Sequence, residues 1–394
     1  MSWPFRVMVY DRALKPLYSL PLHGAPGRPG VEAIRVAPRL DEIGTASIDL
    51  PLDHPRARDL HEHGRRVRIW DQWGNHLLSG PVTTVAGKRD GSTWGASSMT
   101  LGIEDDRRLL WRTLGWVAPL AGIDQQQSDN SDAVYRLTSV PAETAVKRTF
   151  RDNAVTRLGI PVTVLPDLGR GGTMTYTTRN HTLADRLYPT VTENGLAVEI
   201  RQDDNGSPTV QRVTLDVAAF KTHPQIIDDR SPQVTEWEYT VTGPEAMWGV
   251  AGGQGEGNAR VFKRSANQSE LNGWGALFGG EFFDDQRQES NPASVQAALD
   301  GALVAKSAKA SLALTLQGTE RWAYGKSWRV GDVLTTRIVP GANTITTQIT
   351  EADLSWTPGD GLKESTQVGS TGKTTQAQII KALAAAVRDL RAGR

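Results

Sequence analysis

The stretch Val67-Arg-Ile-Trp-Asp-Gln-Trp-Gly-Asn75, followed by Val82-Thr-Thr-Val85, decides the kind of fold that this chain adopts. Apolar and polar residues largely alternate in the two flanking segments, and a two-residue period is typical of a sheet with one buried face. The middle segment, Asp71–Asn75, contains the residues that favour a turn. The stretch therefore predicts β-strands joined by a turn.

The same alternation recurs through the first hundred residues. It is present in Phe5–Tyr10, Glu32–Val36 and Ala46–Leu50, and Leu40–Gly44 and Lys88–Ser92 supply further turns. Short strands separated by turns are typical of an all-β unit. We expect a β domain, a small barrel or sandwich, over residues 1–104.

Beyond residue 104, helical patterns alternate with strands. Pro141–Asn153 and Asn180–Tyr188 have apolar residues at helical spacing, and Pro and Glu occupy the first turn of the former. Strands at Leu196–Ile200 and Val210–Leu215 flank Asp203-Asp-Asn-Gly206, a sequence that favours a hairpin turn. These patterns predict a mixed α/β insert over residues 105–225.

Strands return in the last third of the chain, and a helix begins among them at Asn291. Asn is a preferred helix cap, and the Pro that follows fits the first helical turn. We expect a second β domain with an embedded helix over residues 226–365. The predicted fold class is α+β and predominantly β, with two β-barrel domains separated by the insert. The predicted strands include Val234–Val241, Ser311–Leu316, Val333–Ile338 and Thr344–Thr350.

Residues 366–394 predict a Gly/Ser/Thr linker and a short C-terminal helix. Its apolar residues are spaced three, four and three apart, as in a two-heptad seam. A seam this short does not hold chains together alone. Docking on its own chain and joining a bundle both remain open. The seam residues are Ile380, Leu383, Val387 and Leu390.

Composition argues against several classes of protein. The 394 residues include 44 Lys plus Arg, 44 Asp plus Glu and no cysteine. Zero formal charge argues against a specific nucleic-acid binder, because such proteins need surplus cations. Without cysteine there are no disulfides, thiolate metal sites or cysteine nucleophiles. The first residues lack a secretory-signal pattern, and no apolar run has the roughly 18 residues of a membrane span. We expect no stable membrane insertion.

Glycine-rich segments do not form a nucleotide motif. In Gly249–Gly257 the third glycine of a dinucleotide fingerprint would fall at Asn258, and a strand-like sequence follows instead of a helix. We expect a glycine-rich hairpin or bulge there. The Gly-Lys-Ser/Thr segments at 325–327 and 372–374 lack the upstream glycine of a P-loop. The residues in its place are Glu320 and Gln367.

Acidic and histidine residues do not form a catalytic or metal motif, so we expect no catalytic, cofactor or metal residues. His61 and His63 have no third metal ligand nearby, and a solvated pair is favoured. Asp124–Asp132 lacks the Gly and Glu of a calcium loop. Four acidic pairs lie at predicted turns or helix starts, where Asp is favourable, and adjacency does not place carboxylates across a cleft. The pairs are Asp105-Asp106, Asp203-Asp204, Asp228-Asp229 and Asp284-Asp285.

Tryptophan is the commonest aromatic residue, with 12 copies against 7 Tyr and 7 Phe. Trp70 and Trp73 flank a turn, and four others lie in or beside predicted strands, where packing is the usual role. Exposed rings would instead stack on sugars. The four are Trp237, Trp322, Trp328 and Trp356.

Several short motifs occur together in the order typical of one family. In that order they resemble the tail-tip hub proteins of long-tailed actinobacteriophages, also called tail-associated or baseplate hub proteins. The motifs are Val7–Leu17, Ile43–Leu52, Val67–Asp71, Leu78–Thr83, the segment 249–264, Glu281–Arg287 and Tyr324–Thr336.

The resemblance implies a fold similar to the hub of contractile-tailed phages. There, two related β domains per chain form a homotrimeric ring, which presents six similar units to the hexameric tail tube. A faint internal echo agrees, because Val67–Asp71 with Pro81–Val85 resembles Trp328–Asp332 with Thr346–Thr350. The implied partners are further copies, the distal tail protein ring, the tape measure protein and other minor tail or receptor-binding proteins.

We therefore expect a structural hub of the virion, not an enzyme, assembled in the host cytoplasm. It would adapt the six-fold tube to three-fold tip proteins and help to close the DNA channel. Many such hubs continue into peptidase, lysozyme or fibre regions, whereas this sequence ends at Arg394, so we assign those roles to other tail proteins. The alternatives are a carbohydrate- or receptor-binding tail protein and a cell-wall-degrading enzyme that uses an acidic pair.

Overall fold

A computed structural model describes residues 4–22, 29–89, 97–126, 134–207, 210–287, 289–319, 322–338 and 344–369. Strands predominate over helices in these ranges. The strands are β1 (Phe5–Tyr10), β2 (Pro16–Leu20), β3 (Ala33–Ala37), β4 (Thr45–Pro51), β5 (Arg66–Asp71), β6 (His76–Arg89), β7 (Ser97–Glu104), β8 (Tyr135–Pro141), β9 (Val162–Val164), β10 (Thr173–Thr178), β11 (Leu196–Ser207), β12 (Val210–Ala219), β13 (Thr222–Asp228), β14 (Val234–Thr242), β15 (Trp248–Gly252), β16 (Phe262–Ala266), β17 (Glu281–Asp285), β18 (Lys309–Gln317), β19 (Val333–Arg337), β20 (Ile345–Thr357) and β21 (Gly361–Gly369). The helices are α1 (Ala57–Leu60), α2 (Arg108–Trp111), α3 (Ala142–Phe150), α4 (Leu183–Glu193), α5 (Gln268–Trp274) and α6 (Pro292–Ala305).

One 13-stranded sheet joins strands from both ends of the sequence. Its order is β14-β18-β21-β20-β3-β4-β7-β6-β5-β1-β2, with β19 beside β20 and β13 beside β19. The α+β, predominantly β class is confirmed. No barrel closes among the described strands, so the two-barrel layout is not confirmed. Strands of the two predicted β domains instead pair with each other, because β3 and β20 meet edge to edge.

The two β regions repeat the same strand order. In one, β3-β4-β7-β6 is followed by β5 beside the first half of β6, and in the other β14-β18-β21-β20 is followed by β19 beside the start of β20. A bulge interrupts β6 between Val82 and Thr84 and interrupts β20 between Ile349 and Glu351. The repeat is not perfect, since β1 pairs antiparallel to β5 whereas β13 pairs parallel to β19.

The shared sheet has one continuous hydrophobic core. Ile34, Ile48 and Leu101 from the first region and Leu314 and Leu354 from the second lie in the same buried cluster. Each such side chain contributes roughly 1.5–3 kcal/mol when fully buried. The two regions therefore stabilise each other instead of folding around separate centres.

The insert has a second core, built from α3, α4 and the β11–β12 hairpin. Phe150, Leu187 and Leu215 are fully buried in it. Both predicted helices are present, and Thr182 caps α4 by accepting a hydrogen bond from the Asp185 amide. The predicted hairpin is present, because β11 pairs antiparallel with β12, but its turn does not fall at 203–206, since β11 extends to Ser207.

A small lobe lies between β14 and β18 in the sequence. Its sheet has the order β16-β15-β17, and α6 packs on one face through Val295 and Leu299 against Ala251. The predicted cap is present, since the Asn291 side chain accepts from the Ala293 amide. The predicted C-terminal helix and the segment 372–374 lie outside the described residues.

Candidate functional site

The two histidines of the candidate metal pair lie in an exposed turn, not on a strand. His61 follows α1, and its Nδ1 lies 2.8 Å from the carbonyl oxygen of Ala57. In the described ranges no group of three or more His, Asp or Glu residues could hold a metal ion. No helix in the described part of the chain is long and apolar enough to cross a membrane.

The acidic pair Asp105-Asp106 is buried and fully engaged in the fold. Asp105 accepts from Arg107 at 2.7 Å and from the Gly44 amide at 3.0 Å, and Asp106 accepts from Arg66 at 2.6 Å. Burial raises the pKa of both carboxyl groups, and the arginines oppose this rise. The pair therefore ties the start of β4, β5 and the end of β7 together and has no free carboxylate for a substrate.

Two other acidic pairs lie in strands, so their predicted placement in turns is wrong. Asp204 in β11 pairs with Arg68, and Asp285 in β17 pairs with Arg260 at 2.5 Å. Asp228 behaves as predicted, because its carboxylate accepts from the Arg230 amide in a turn. β11 and β17 both contain acidic residues near their C-terminal ends, so their sequences do not show a regular alternation of apolar and polar residues there.

The glycine-rich segment forms a hairpin, as predicted. β15 pairs antiparallel with β16, and the intervening loop holds Gly255 and Gly257 at positive φ. Gly325 of the Gly-Lys-Ser segment has a φ of 80° and lies directly against the Asp71 carboxylate. It serves a close contact between two turns.

That contact joins the first β region to the second. Asp71 accepts from the amides of Trp73 at 2.9 Å and Asn75 at 2.8 Å, and Asn75 donates to the Gly325 carbonyl at 3.0 Å. Arg329 donates to the Asn75 side chain. The turn at 71–75 therefore also links the first β region to the second.

The seam between β3 and β20 is the second connection. Ile34 lies opposite Trp356, and Val36 lies opposite Leu354. Arg39 extends the seam by pairing with Glu351 at 3.1 Å and Asp353 at 3.3 Å. Backbone hydrogen bonds, buried apolar pairs and a forked ion pair therefore define how one β region meets the other.

The insert is fastened to the first β region by a polar contact. The backbone N–H of Gln202 donates to the Ser79 hydroxyl at 2.8 Å, and that hydroxyl donates to the Asp106 carboxylate at 2.9 Å. Arg68 reaches across to Asp204. The buried hydrogen bonds among Gln202, Ser79 and Asp106, together with the Arg68–Asp204 pair, fix the orientation of the β11–β12 hairpin on the sheet.

The free edge at β14 is the feature that the sequence did not predict. Among the described strands β14 pairs only with β18, and it exposes Trp237 and Tyr239, which are 41% and 37% exposed. Their rings stack at 6.0 Å with an interplanar angle of 6°. They lie on the face of the core residues Leu314 and Leu312, their cross-strand partners. The core face therefore ends uncovered.

A second free edge is the far half of β6. From Thr84 to Arg89 this strand pairs with β7, whereas β5 covers only His76–Pro81. Lys88 and Arg89 are exposed at its end. In the described part of the chain the sheet therefore offers unpaired backbone at β6 and at β14, and such edges are sites for pairing with another chain.

Solved structures with the same fold include two tail proteins. The tail protein from Neisseria meningitidis MC58 has a TM-score of 0.52 and 10% identity, covering 95% of this chain and 99% of that one. The 43 kDa tail protein of prophage MuSo2 from Shewanella oneidensis has a TM-score of 0.52 and 12% identity, covering 92% and 98%. At such identities the likeness shows the fold alone.

The sequence itself gives the family. No curated protein sequence matches the chain. The family model described as Siphovirus ReqiPepy6 Gp37-like protein matches residues 28–369, which include both β regions and the insert. The chain therefore belongs to this siphovirus family, and it has the same fold as the two tail proteins above.

Proposed function

We propose that this protein is the hub of a siphophage tail tip, a homotrimeric ring in which each chain supplies two related β domains. The observation that carries the proposal is the repeated strand order of the two β regions, joined edge to edge by β3 and β20. Three such chains supply six similar units, which match a six-fold tail tube on one side and three-fold tip proteins on the other.

The proposed domains are residues 1–104 and 226–365, separated by an insert at 105–225 and followed by a linker and helix at 366–394. The proposed neighbours are the distal tail protein ring, the tape measure protein and other minor tail proteins. The ring would help to close the DNA channel, and zero net charge suits a channel that must release DNA. Assembly in the host cytoplasm is part of the proposal.

Light scattering tests the proposed trimer. We expect a species of three times the chain mass of 42.9 kDa, alone or with the distal tail protein. A chain that stays monomeric at all concentrations, including in the presence of the distal tail protein, would overturn the proposed ring.

A second candidate function is favoured by one observation, the parallel, stacked rings of Trp237 and Tyr239 on an exposed edge. Exposed aromatic rings suit stacking on sugar rings. Binding of the purified protein to host cell walls that is abolished by Trp237→Ser would support a receptor-binding role. Loss of trimer with unchanged wall binding in the same variant supports the hub.

A further inference from the structure

We propose that the free edge of β14 in one copy pairs antiparallel with the free half of β6 in a second copy, so that the sheet continues from chain to chain. This inference rests on the ring proposed above and names the two surfaces that close it. The β3–β20 seam is a template for this contact, because one chain already contains a complete example of how the two β regions meet.

β6 occupies the same position in the first β region as β20 does in the second. Both strands pair with a following strand, β7 or β21, and both have a bulge, after Val82 in β6 and after Ile349 in β20. Counting from these two residues, Gly87 takes the position of Leu354 and Lys88 takes the position of Ser355. In β20 these positions form the seam with β3. In β6 they have no partner on that side among the described strands.

β14 in the second β region corresponds to β3 in the first. Across the second region, Trp237 pairs with Leu314, which pairs with Val368, which pairs with Ile349.

Across the first region, Val36 pairs with Ala46, which pairs with Ile103, which pairs with Val82. The two ladders match rung for rung, so Trp237 takes the position of Val36, and Glu236 takes the position of Arg35.

Together, the two correspondences give the register expected between chains. Within the chain, Val36 lies opposite Leu354 and Arg35 lies opposite Ser355. Between chains, the same register places Trp237 opposite Gly87 and Glu236 opposite Lys88. Nothing in the choice of bulges or ladders refers to side-chain chemistry, so the fit of these two pairs is an independent observation.

The side chains suit each other on both faces of the sheet. On the core face, a half-exposed indole meets a glycine, whose missing side chain leaves room for the ring. On the other face, the carboxylate of Glu236 meets the ammonium of Lys88. Both charged groups are exposed, and no ion pair joins either to a described residue within the chain. Opposite charges directly across strands stabilise pairing by about 0.2–1 kcal/mol.

The occupant of each edge is therefore a second copy of this chain. The two edges are different surfaces, so the contact is head-to-tail, and such contacts form closed rings when the rotation closes. Three copies would contain six seams of one kind, three within chains and three between them. The uncovered core face at β14 would then be covered by the neighbour.

Engineered disulfides test the register, and the chain offers a clean background because it has no cysteine. The test variant is Glu236→Cys with Lys88→Cys. The matched control is Arg35→Cys with Ser355→Cys, which lies in the observed seam and should form a disulfide within one chain. An off-register control is Glu238→Cys with Lys88→Cys. Directly opposite residues in antiparallel strands have the Cα separation that a disulfide needs.

We expect oxidised Glu236→Cys/Lys88→Cys protein to run as covalent dimers and trimers on non-reducing gels, with no larger species. Mixed single variants should stop at dimers, and the off-register pair should cross-link at least several-fold less. A trimer in light scattering without this cross-link, while the intrachain control oxidises, overturns the seam and leaves the ring. A monomer without cross-links overturns both. An open ladder beyond the trimer overturns closure.

Discussion

At the residue scale, the insert contains a network of ion pairs around the buried side chains of Lys147 and Glu143. Lys147 contacts Glu143 at 2.6 Å and Asp216 at 2.8 Å, and Arg170 contacts Glu143 at 2.9 Å. Burial opposes ionisation of Glu143, but hydrogen bonds from Arg170 and Lys147 prevail and hold its pKa well below the usual range. Removing Glu143 takes away one of the two counter-charges of the buried Lys147 and leaves Asp216.

We therefore expect Glu143→Ala to lower the free energy of unfolding by about 3–5 kcal/mol, because it leaves the buried Lys147 short of a counter-charge. Urea unfolding measures the loss. The matched control is Glu199→Ala, which removes an exposed pair with Arg201 and should cost less than about 1 kcal/mol. Equal losses in the two variants would contradict the role of the network.

Another residue-scale prediction concerns His76, which lines a cavity of about 140 Å³ with Arg107, Arg201 and Tyr324. Burial, assisted by the charges of Arg68, Arg201 and Arg107, lowers the pKa of His76 to about 3 from 6.5. Between these two values the unfolded chain binds the extra proton, so stability falls as the pH falls through this window.

Urea unfolding between pH 4 and 6.5 should show this contribution, at most about 1.4 kcal/mol per pH unit. His76→Leu should remove it, and His63→Leu, at an exposed histidine, should retain it. If His76→Leu keeps the full pH slope of the unmodified chain, the half-buried His76 is not its source.

At the scale of elements, the contact between the turns at 71–75 and 325–329 holds two sequence-distant regions together. Gly325 and Gly74 both have φ near 80°, but a Cβ at Gly325 would meet the Asp71 carboxylate, whereas a Cβ at Gly74 would meet open space. Left-handed backbone costs an alanine about 1–2 kcal/mol at either position. Gly325→Ala should therefore lower the thermal midpoint clearly more than Gly74→Ala. Equal shifts, measured by circular dichroism, would mean that the turn contact is not tight.

Several elements could be predicted from sequence because their signals are local. The helices starting near Pro141, Thr182 and Asn291 have caps or prolines at fixed offsets, and the alternation near Val67 identifies β5. The extent of β11 could not be predicted, because the strand runs through the turn-like Asp203-Asp-Asn-Gly206 and its pairing with β12 resumes only at Ser207. Propensity is a local quantity, and pairing depends on residues far away in the chain.

At the scale of the whole molecule, the joining of the two β regions in one sheet was beyond the reach of sequence patterns. β3 and β20 lie more than 300 residues apart in the sequence, and no local pattern in either strand identifies the other as its partner. The exposed Trp237 shows the same limit for the candidate site. Its alternation predicts a packed strand residue, and only the strand order reveals that it lies on an edge strand, where it stays 41% exposed.

The proposed ring makes a prediction about charge at the same scale. Glu236→Lys should place like charges across the seam with Lys88 and lower the trimer fraction in light scattering. The double variant Glu236→Lys with Lys88→Glu should restore it, because the opposite charges are only exchanged. Glu199→Lys, a charge reversal at an exposed position away from both edges, should leave the trimer unchanged. Loss without rescue in the double variant would speak against a direct contact.

A cryo-EM map of the intact tail tip would show whether three copies of this chain form the ring at the end of the tail. We expect three copies around the tail axis, with β14 of each beside β6 of the next. Six copies in the ring, or a chain bound at the side of the tip away from the axis, would contradict it.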